Sequence, residues 1–174
     1  MCVSFLYHAS ESLEVEWWMN PGKWHRLDNV GSIMCFVCLF VYLAAFEQER
    51  TRGFLKYTGL FWVLCYQEKS PWNLFYTVVP IVTYALLPFI RYIGTRKRPP
   101  FHQRNSYLGF GLLAFAAIFF VTGLDERQDY MRWKHGTWHF LIGAASYWLW
   151  QIVRTESHLL PHSSKDVMSA SKDI

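Results

Sequence analysis

The segment from Trp72 to Tyr92 reads W-N-L-F-Y-T-V-V-P-I-V-T-Y-A-L-L-P-F-I-R-Y and decides the fold class of this 174-residue chain. It has about the 20 apolar residues that a helix needs to cross a bilayer. Three further runs of comparable length lie at Leu27 to Phe46, Tyr107 to Leu124 and Thr137 to Val153. A shorter run at Phe54 to Gln67 contains one lysine, whose long stem could reach the membrane interface. The sequence therefore predicts an all-α, polytopic transmembrane helix bundle over residues 1–154, with five spans and a partial N-terminal helix.

Aromatic residues favour a membrane protein over a soluble one. They make up 19% of the chain, including nine tryptophans, and many flank the apolar runs. Amphipathic rings prefer the level of the lipid headgroups. A soluble all-helical protein with an aromatic core is the alternative, and the number of runs of bilayer length argues against it.

The net charge of +4 is concentrated in one short loop, from Arg91 to Arg104, and gives no indication of a nucleic-acid partner. Short basic loops stay in the cytoplasm, which predicts this side also for the tail, residues 155–174. The composition of that tail is typical of disorder. Counting spans places three loops on the outer or lumenal side: Glu11 to Arg26, Glu68 to Pro71 and Asp125 to Lys134. We expect the protein to lie in the plasma membrane or an endomembrane.

Two features near the start of the chain carry weaker expectations. Met1 to Ala9 is apolar but too short to span a bilayer, and it lacks the regions of a signal peptide. We expect the end of a helix whose beginning is missing, as in a shortened isoform or a fragment. Cys35 and Cys38 spell C-x-x-C without a second pair, so we expect small core residues rather than a zinc ribbon.

Polar residues in and beside the apolar runs form the candidate functional site. Ionisable groups at membrane depth are costly and persist mainly where they pair, bind an ion or carry out chemistry. The candidates are Ser4, His8, Asp28, His135 and His139. The predicted topology places all five in the outer layer of the bundle, which predicts that they form one site.

Residue spacing supports a metal-binding interpretation. His135 and His139 are four residues apart, which places both rings on one helix face, and Ser4 and His8 have the same separation. Three histidines and a carboxylate match a zinc site with one position left for water. A single H-x-x-x-H pair is weak evidence, because a lone helical histidine is commonly a hydrogen-bonded structural residue.

Other histidines are weaker ligand candidates. His158 and His162 share the spacing, but Pro161 should break a helix there. His25 lies near Asp28, in what we expect to be a loop of acidic and aromatic residues at the interface.

The same residues give the chain a resemblance to the CREST superfamily of seven-span membrane hydrolases and receptors. The matching segments are S-F-L-Y-H from Ser4, L-D-N-V-G-S from Leu27 and H-G-T-W-H from His135. The segment D-Y-M-R-W-K-H-G-T-W-H from Asp129 is most similar to the branch with the post-GPI-attachment phospholipase and myomaker. The first span of that superfamily is absent here, and Ser10 and Glu11 stand where the branch usually has Cys and Asp.

The resemblance implies a zinc ion bound by His8, His135 and His139, with Asp28 and Ser4 next to the metal-bound water. We therefore predict a zinc-dependent intramembrane lipid hydrolase that cleaves an acyl ester or amide bond, with a membrane lipid as substrate. Asp28 would act as general base, and Ser4 would hydrogen-bond the water or the developing oxyanion. The alternatives are a non-enzymatic zinc-stabilised membrane protein, receptor-like or fusion-related, and an inactive truncated product.

Overall fold

A computed structural model of the chain describes residues 2–13, 16, 18–96, 100–123 and 133–153. Six helices account for most of this described part: α1 (Cys2–Leu13), α2 (Pro21–Leu43), α3 (Glu49–Lys69), α4 (Leu74–Thr95), α5 (Gln103–Thr122) and α6 (Trp133–Leu149). The β-structure among the described residues is one isolated antiparallel bridge between Phe101 and Val153. The predicted all-α fold class is confirmed.

Three of the helices, α2, α4 and α5, are long and apolar enough to cross a membrane, judged by length and composition. This supports the prediction of a membrane protein. The other two predicted spans differ from these three, since α3 carries charged side chains at both ends and α6 has 17 residues. At 1.5 Å per residue, α6 is about 26 Å long, slightly less than the hydrocarbon core. The count of five spans stays a prediction.

The start of α2 differs from the sequence prediction. Asn20 caps the helix by accepting a hydrogen bond from the Lys23 backbone N–H at 2.9 Å, and Pro21 occupies the first turn. Proline suits this position because its fixed φ matches the helix and its missing N–H is not needed there. The prediction of a loop from Glu11 to Arg26 was therefore wrong for residues 21–26, and also for residues 11–13, which end α1. His25 is helical, and Asp28 lies about two turns inside α2.

Helix α3 is longer than the apolar run that predicted it. Glu49 lies in its first turn and Lys69 in its last turn. An acidic side chain at the N-terminus and a basic one at the C-terminus both interact favourably with the helix dipole. Residues Glu49 to Arg52, which precede the apolar run, are therefore part of the helix.

The helices fall into two compact units, one with α1 to α4 (Met1–Arg98) and one with α5 and α6 (Pro99–Ile174). In the first unit α2 packs against α1, α3 and α4. The buried cluster at its centre consists of Val30, Ile33, Val37, Val41, Val63 and Tyr84. Gly59 lets α3 approach closely, because a Cβ there would lie 2.8 Å from both Val37 Cγ1 and the Tyr84 hydroxyl oxygen. The first unit is thus organised around α2, the helix that carries Asp28.

The second unit is an antiparallel pair of helices. A Cβ on Gly109 of α5 would lie 2.7 Å from Leu149 Cδ2, near the end of α6. At the other end of the pair, a Cβ on Gly123 would lie 3.2 Å from the backbone nitrogen of His135. Ala116 is fully buried between these points. Small residues on α5 thus let α6 pack closely along the whole pair.

The cysteines of α2 and several segments between and after the helices were also covered by the sequence predictions. Cys35 is exposed and Cys38 is partly buried, so the expected role as a core residue was wrong for Cys35. Three other predictions concern residues outside the described part of the chain. These residues are the tail 155–174 with His158 and His162, 125–132 of the predicted outer loop, and 97–99 of the basic loop.

Candidate metal centre

The histidine pair of α6 is arranged as the spacing predicts. His135 Nε2 and His139 Nε2 lie 3.1 Å apart, and the ring centroids are separated by 4.8 Å at an angle of 77°. Both side chains are partly buried. Two histidine nitrogens that bind a tetrahedral zinc ion at about 2.0–2.1 Å lie roughly 3.3–3.4 Å apart. The observed separation is close to this value, so the geometry of the pair is compatible with two ligands of one ion.

The same distance also fits a hydrogen bond between two neutral rings, in which one Nε2 donates and the other accepts. Such a bond needs opposite tautomers at the two residues. Metal binding needs both Nε2 atoms deprotonated. The tautomers therefore decide between a structural pair and two metal ligands.

Contacts with α5 fix the position of the first turn of α6, which carries His135. Gly123 ends α5, and the close approach at this glycine places it against the backbone of His135. One turn further along α6, the Trp138 ring packs on Phe120 of α5 with centroids 4.9 Å apart. These contacts hold the first turn of α6, which carries His135, against the end of α5.

In the first unit, α1 carries His8 beside a carboxylate that the sequence analysis did not include in the site. His8 Nδ1 lies 3.6 Å from Glu11 Oε2, and the Tyr7 hydroxyl donates to Glu11 Oε1 at 3.0 Å. Histidine ligands usually turn their second ring nitrogen towards a carboxylate, carbonyl or water, which orients the ring. Glu11 therefore suits a role in orienting His8 for metal binding through Nε2. The i, i+3 spacing from His8 was the sequence signal for it.

Ser4 and Asp28 lie within hydrogen-bonding distance of each other. The Ser4 hydroxyl donates to Asp28 Oδ2 at 3.4 Å, which joins α1 to α2. This contact is at the long end of the hydrogen-bonding range, and both side chains are partly buried. A serine in this position restrains the orientation of the carboxylate, so Asp28 is held by its α1 partner.

His25 has the contacts of a structural histidine. Its ring stacks on Trp72 with centroids 3.7 Å apart and an angle of 8°, and it lies 4.9 Å from the Tyr7 ring. Its Nε2 lies 3.3 Å from the Pro71 carbonyl oxygen and 3.2 Å from Asn29 Nδ2. These neighbours occupy Nε2, whereas Nδ1 is buried without a hydrogen-bond partner among the described residues.

Asn29, next to Asp28, anchors this part of α2 to the end of α3 and to the following loop. Its Nδ2 donates to Pro71 O at 2.8 Å and to Gln67 Oε1 at 3.0 Å. The Gln67 side chain is fully buried and donates in turn to Tyr76 O at 3.3 Å. Sequence reasoning missed this network, which fixes the α2 turn on which Asp28 lies.

The candidate residues thus form two groups, each within its own unit: Ser4, His8 and Asp28 on α1 and α2, and His135 with His139 on α6. The first group offers one imidazole, one carboxylate and one hydroxyl. The second offers two imidazoles at a separation suited to one ion.

A model of a protein family described as "Protein of unknown function (DUF3522)" matches residues 1–140 of the chain. The matched stretch contains all five candidate site residues and all of the first unit. No curated protein and no solved structure matches the chain. Because the match covers well over half of the sequence, the chain belongs to the DUF3522 family.

Proposed function

We propose that the chain is a zinc-dependent intramembrane lipid hydrolase, in which His8, His135 and His139 hold one zinc ion. The observation that carries the proposal is the 3.1 Å separation of the two Nε2 atoms on α6, which suits two ligands of one tetrahedral ion. Two histidines leave a zinc site incomplete, and His8, oriented by Glu11, is the third ligand. The resemblance to the CREST superfamily supports the same ligand set.

The proposal includes a multi-pass membrane topology. It has five spans, with the basic loop from Arg91 to Arg104 and the C-terminus in the cytoplasm. The three apolar helices support a membrane location, and the positive loop supports the orientation. The site then lies at the outer or lumenal end of the helices, just below the headgroups, where a membrane lipid enters sideways with an acyl ester or amide bond at the same depth.

Zinc, when bound, lowers the pKa of a coordinated water to about 7 and polarises the substrate carbonyl. Asp28 accepts the proton of the attacking water as general base. Ser4, which donates to Asp28 Oδ2, directs the carboxylate so that its second oxygen receives that proton. The water oxygen bonds to the acyl carbon, the bond to the leaving oxygen or nitrogen breaks, and the proton on Asp28 passes to the leaving group. The products are a fatty acid and the deacylated lipid.

A non-enzymatic function is the second candidate, because a carboxylate such as Asp28 can also act as a direct zinc ligand. Structural zinc sites close with four protein ligands. Three histidines with the Asp28 carboxylate as a direct ligand would form such a site and would tie α1, α2 and α6 together. In that case the protein would be a zinc-stabilised receptor-like or fusion-related membrane protein.

The substitution Asp28→Asn distinguishes the two functions. If Asp28 is the general base, the purified variant keeps its zinc, while zinc-dependent release of fatty acid from lipid vesicles falls about 10²- to 10⁴-fold. Glu47→Gln makes the same chemical change at an exposed carboxylate between α2 and α3 and should leave both quantities unchanged. Loss of zinc in Asp28→Asn, with no lipid turnover by the unaltered protein, would support the structural site instead.

A further inference from the structure

A groove on the surface of the first unit has an unusual arrangement of apolar and charged side chains. It is shallow and open over most of its area, with a volume of about 660 Å³. Its lining consists of Arg26 from α2 and Phe61, Leu64, Cys65, Glu68 and Lys69 from α3. The nature of these side chains changes along the groove.

The α3 residues form one stripe, because their spacings of three, four, seven and eight residues place them on the same helix face. The stripe is apolar at Phe61, Leu64 and Cys65 and charged only in the last turn of the helix. Arg26 forms an ion pair with Glu68 across to α3. The charges therefore collect at one end of the groove and the apolar surface continues below them.

The change from apolar to charged side chains runs alongside α2, a helix long and apolar enough to cross a membrane. Helix α3 follows α2 along its length, through Asn29 with Gln67 at one end and Val37 with Gly59 further along. The apolar part of the stripe is well exposed, 70% for Phe61 and 48% for Leu64. In the proposed topology this part faces lipid chains, and the charged end lies at the level of the headgroups.

The charged end carries two cations and one carboxylate, a surplus of one positive charge. Lys69 Nζ lies 5.6 Å from the centroid of the Tyr76 ring, so its ammonium group is held near the end of α3. Glu68 remains largely exposed despite its ion pair with Arg26. A phospholipid matches this order of side chains, because its phosphate would lie at the charged end and its acyl chain along the apolar stripe. A water-soluble anion would make no contact with the apolar stripe.

We propose that the groove binds one glycerophospholipid, with its phosphate at Arg26 and Lys69 and one acyl chain along Phe61, Leu64 and Cys65. The site does not involve the proposed catalytic residues. Arg26 is directed to α3, whereas Asp28, two residues later, is directed to α1 through Ser4. The bound lipid is thus a resident of the α2–α3 surface rather than the substrate, and its binding does not depend on the proposed hydrolase activity.

The test uses the full chain reconstituted in phosphatidylcholine vesicles. One sample contains a trace of phosphatidylcholine with a photoactivatable diazirine in its acyl chain. A second contains diacylglycerol with the same chain and no phosphate. We expect the phospholipid probe to label residues 61–65 and the diacylglycerol to label them much less. Lys69→Gln, which leaves the Arg26–Glu68 pair intact, should reduce labelling by the phospholipid about fivefold.

Three comparisons complete the test. Lys56→Gln removes a charge from α3 outside the groove and should not change labelling. Leu64→Trp fills the groove while keeping its charges and should lower labelling at residues 61 and 65. Asp28→Asn should not change labelling, which separates this site from the proposed hydrolase. Equal labelling by the two probes, no effect of Lys69→Gln, or displacement of the probe by millimolar inorganic phosphate would each overturn the proposal.

Discussion

The hydrogen-bond network around Asn29 predicts a measurable loss of stability when this side chain is removed. Asn29 Nδ2 is within bonding distance of three acceptors, Pro71 O, Gln67 Oε1 and His25 Nε2, and its two hydrogens can serve two of them at once. The substitution Asn29→Ala leaves the two closer acceptors without this donor. One of these, Gln67, is completely buried.

The size of the effect follows from the cost of unpaired polar groups. A buried acceptor that loses its partner costs about 1–3 kcal/mol, and this cost applies to Gln67 Oε1, because Pro71 O still has His25 Nε2 within 3.3 Å. Hydrogen bonds between membrane helices average about 0.6 kcal/mol, which gives roughly 1 kcal/mol for two. Because Gln67 is fully buried and its second contact, Tyr76 O, does not use the oxygen atom, we expect about 2 kcal/mol.

Unfolding of the purified protein in mixed micelles, followed by circular dichroism, measures this loss. The matched comparison is a double-mutant cycle made of Asn29→Leu, Gln67→Leu and the variant with both substitutions. The double variant contains neither amide, so neither is left unpaired. The double variant should lose less stability than the sum of the two single variants. A loss below about 0.5 kcal/mol for Asn29→Ala, or simple additivity in the double variant, would refute the network as a stabilising element.

Two further predictions concern the surroundings of the histidines. Gly109→Ala should destabilise the α5–α6 pair by about 1–3 kcal/mol, because the new Cβ would overlap Leu149. Gly111→Ala on the same helix meets nothing within 4 Å and should not destabilise; equal melting temperatures for the two variants would contradict the close packing. Glu11→Gln should weaken zinc binding about 10- to 100-fold by removing the carboxylate beside His8. Unchanged zinc affinity in a competition titration with a chelator would show that Glu11 does not orient the ligand.

Much of the fold follows from the distribution of apolar residues. A run of bilayer length predicts a helix wherever it occurs, and the Trp72 to Tyr92 segment became α4 with small shifts at its ends. Helix ends were less predictable, because polar residues extend α3 beyond its apolar run at both ends. The start of α2 carried a readable signal in Asn20 followed by Pro21, a cap and a residue suited to the first turn.

The candidate site was predictable where it depends on local spacing. His135 and His139 meet because four residues make about one helical turn, whatever else the chain does. The Asn29 and Gln67 contact depends instead on how two helices are rotated against each other, and sequence spacing does not contain that rotation. Glu11 was not assigned to the site, although it follows His8 by three residues, because the sequence analysis placed it at the start of the predicted outer loop.

The central claim is that three imidazoles of this chain bind one zinc ion, and metal analysis of the full chain purified in detergent tests it most directly. We predict one zinc per chain in the unaltered protein and in His158→Ala, whose histidine lies in the tail. Zinc should be lost in His135→Ala, in His139→Ala and in His8→Ala, because each variant removes one of three protein ligands. Equal zinc content in all of these proteins, or none in the unaltered chain, would contradict the account.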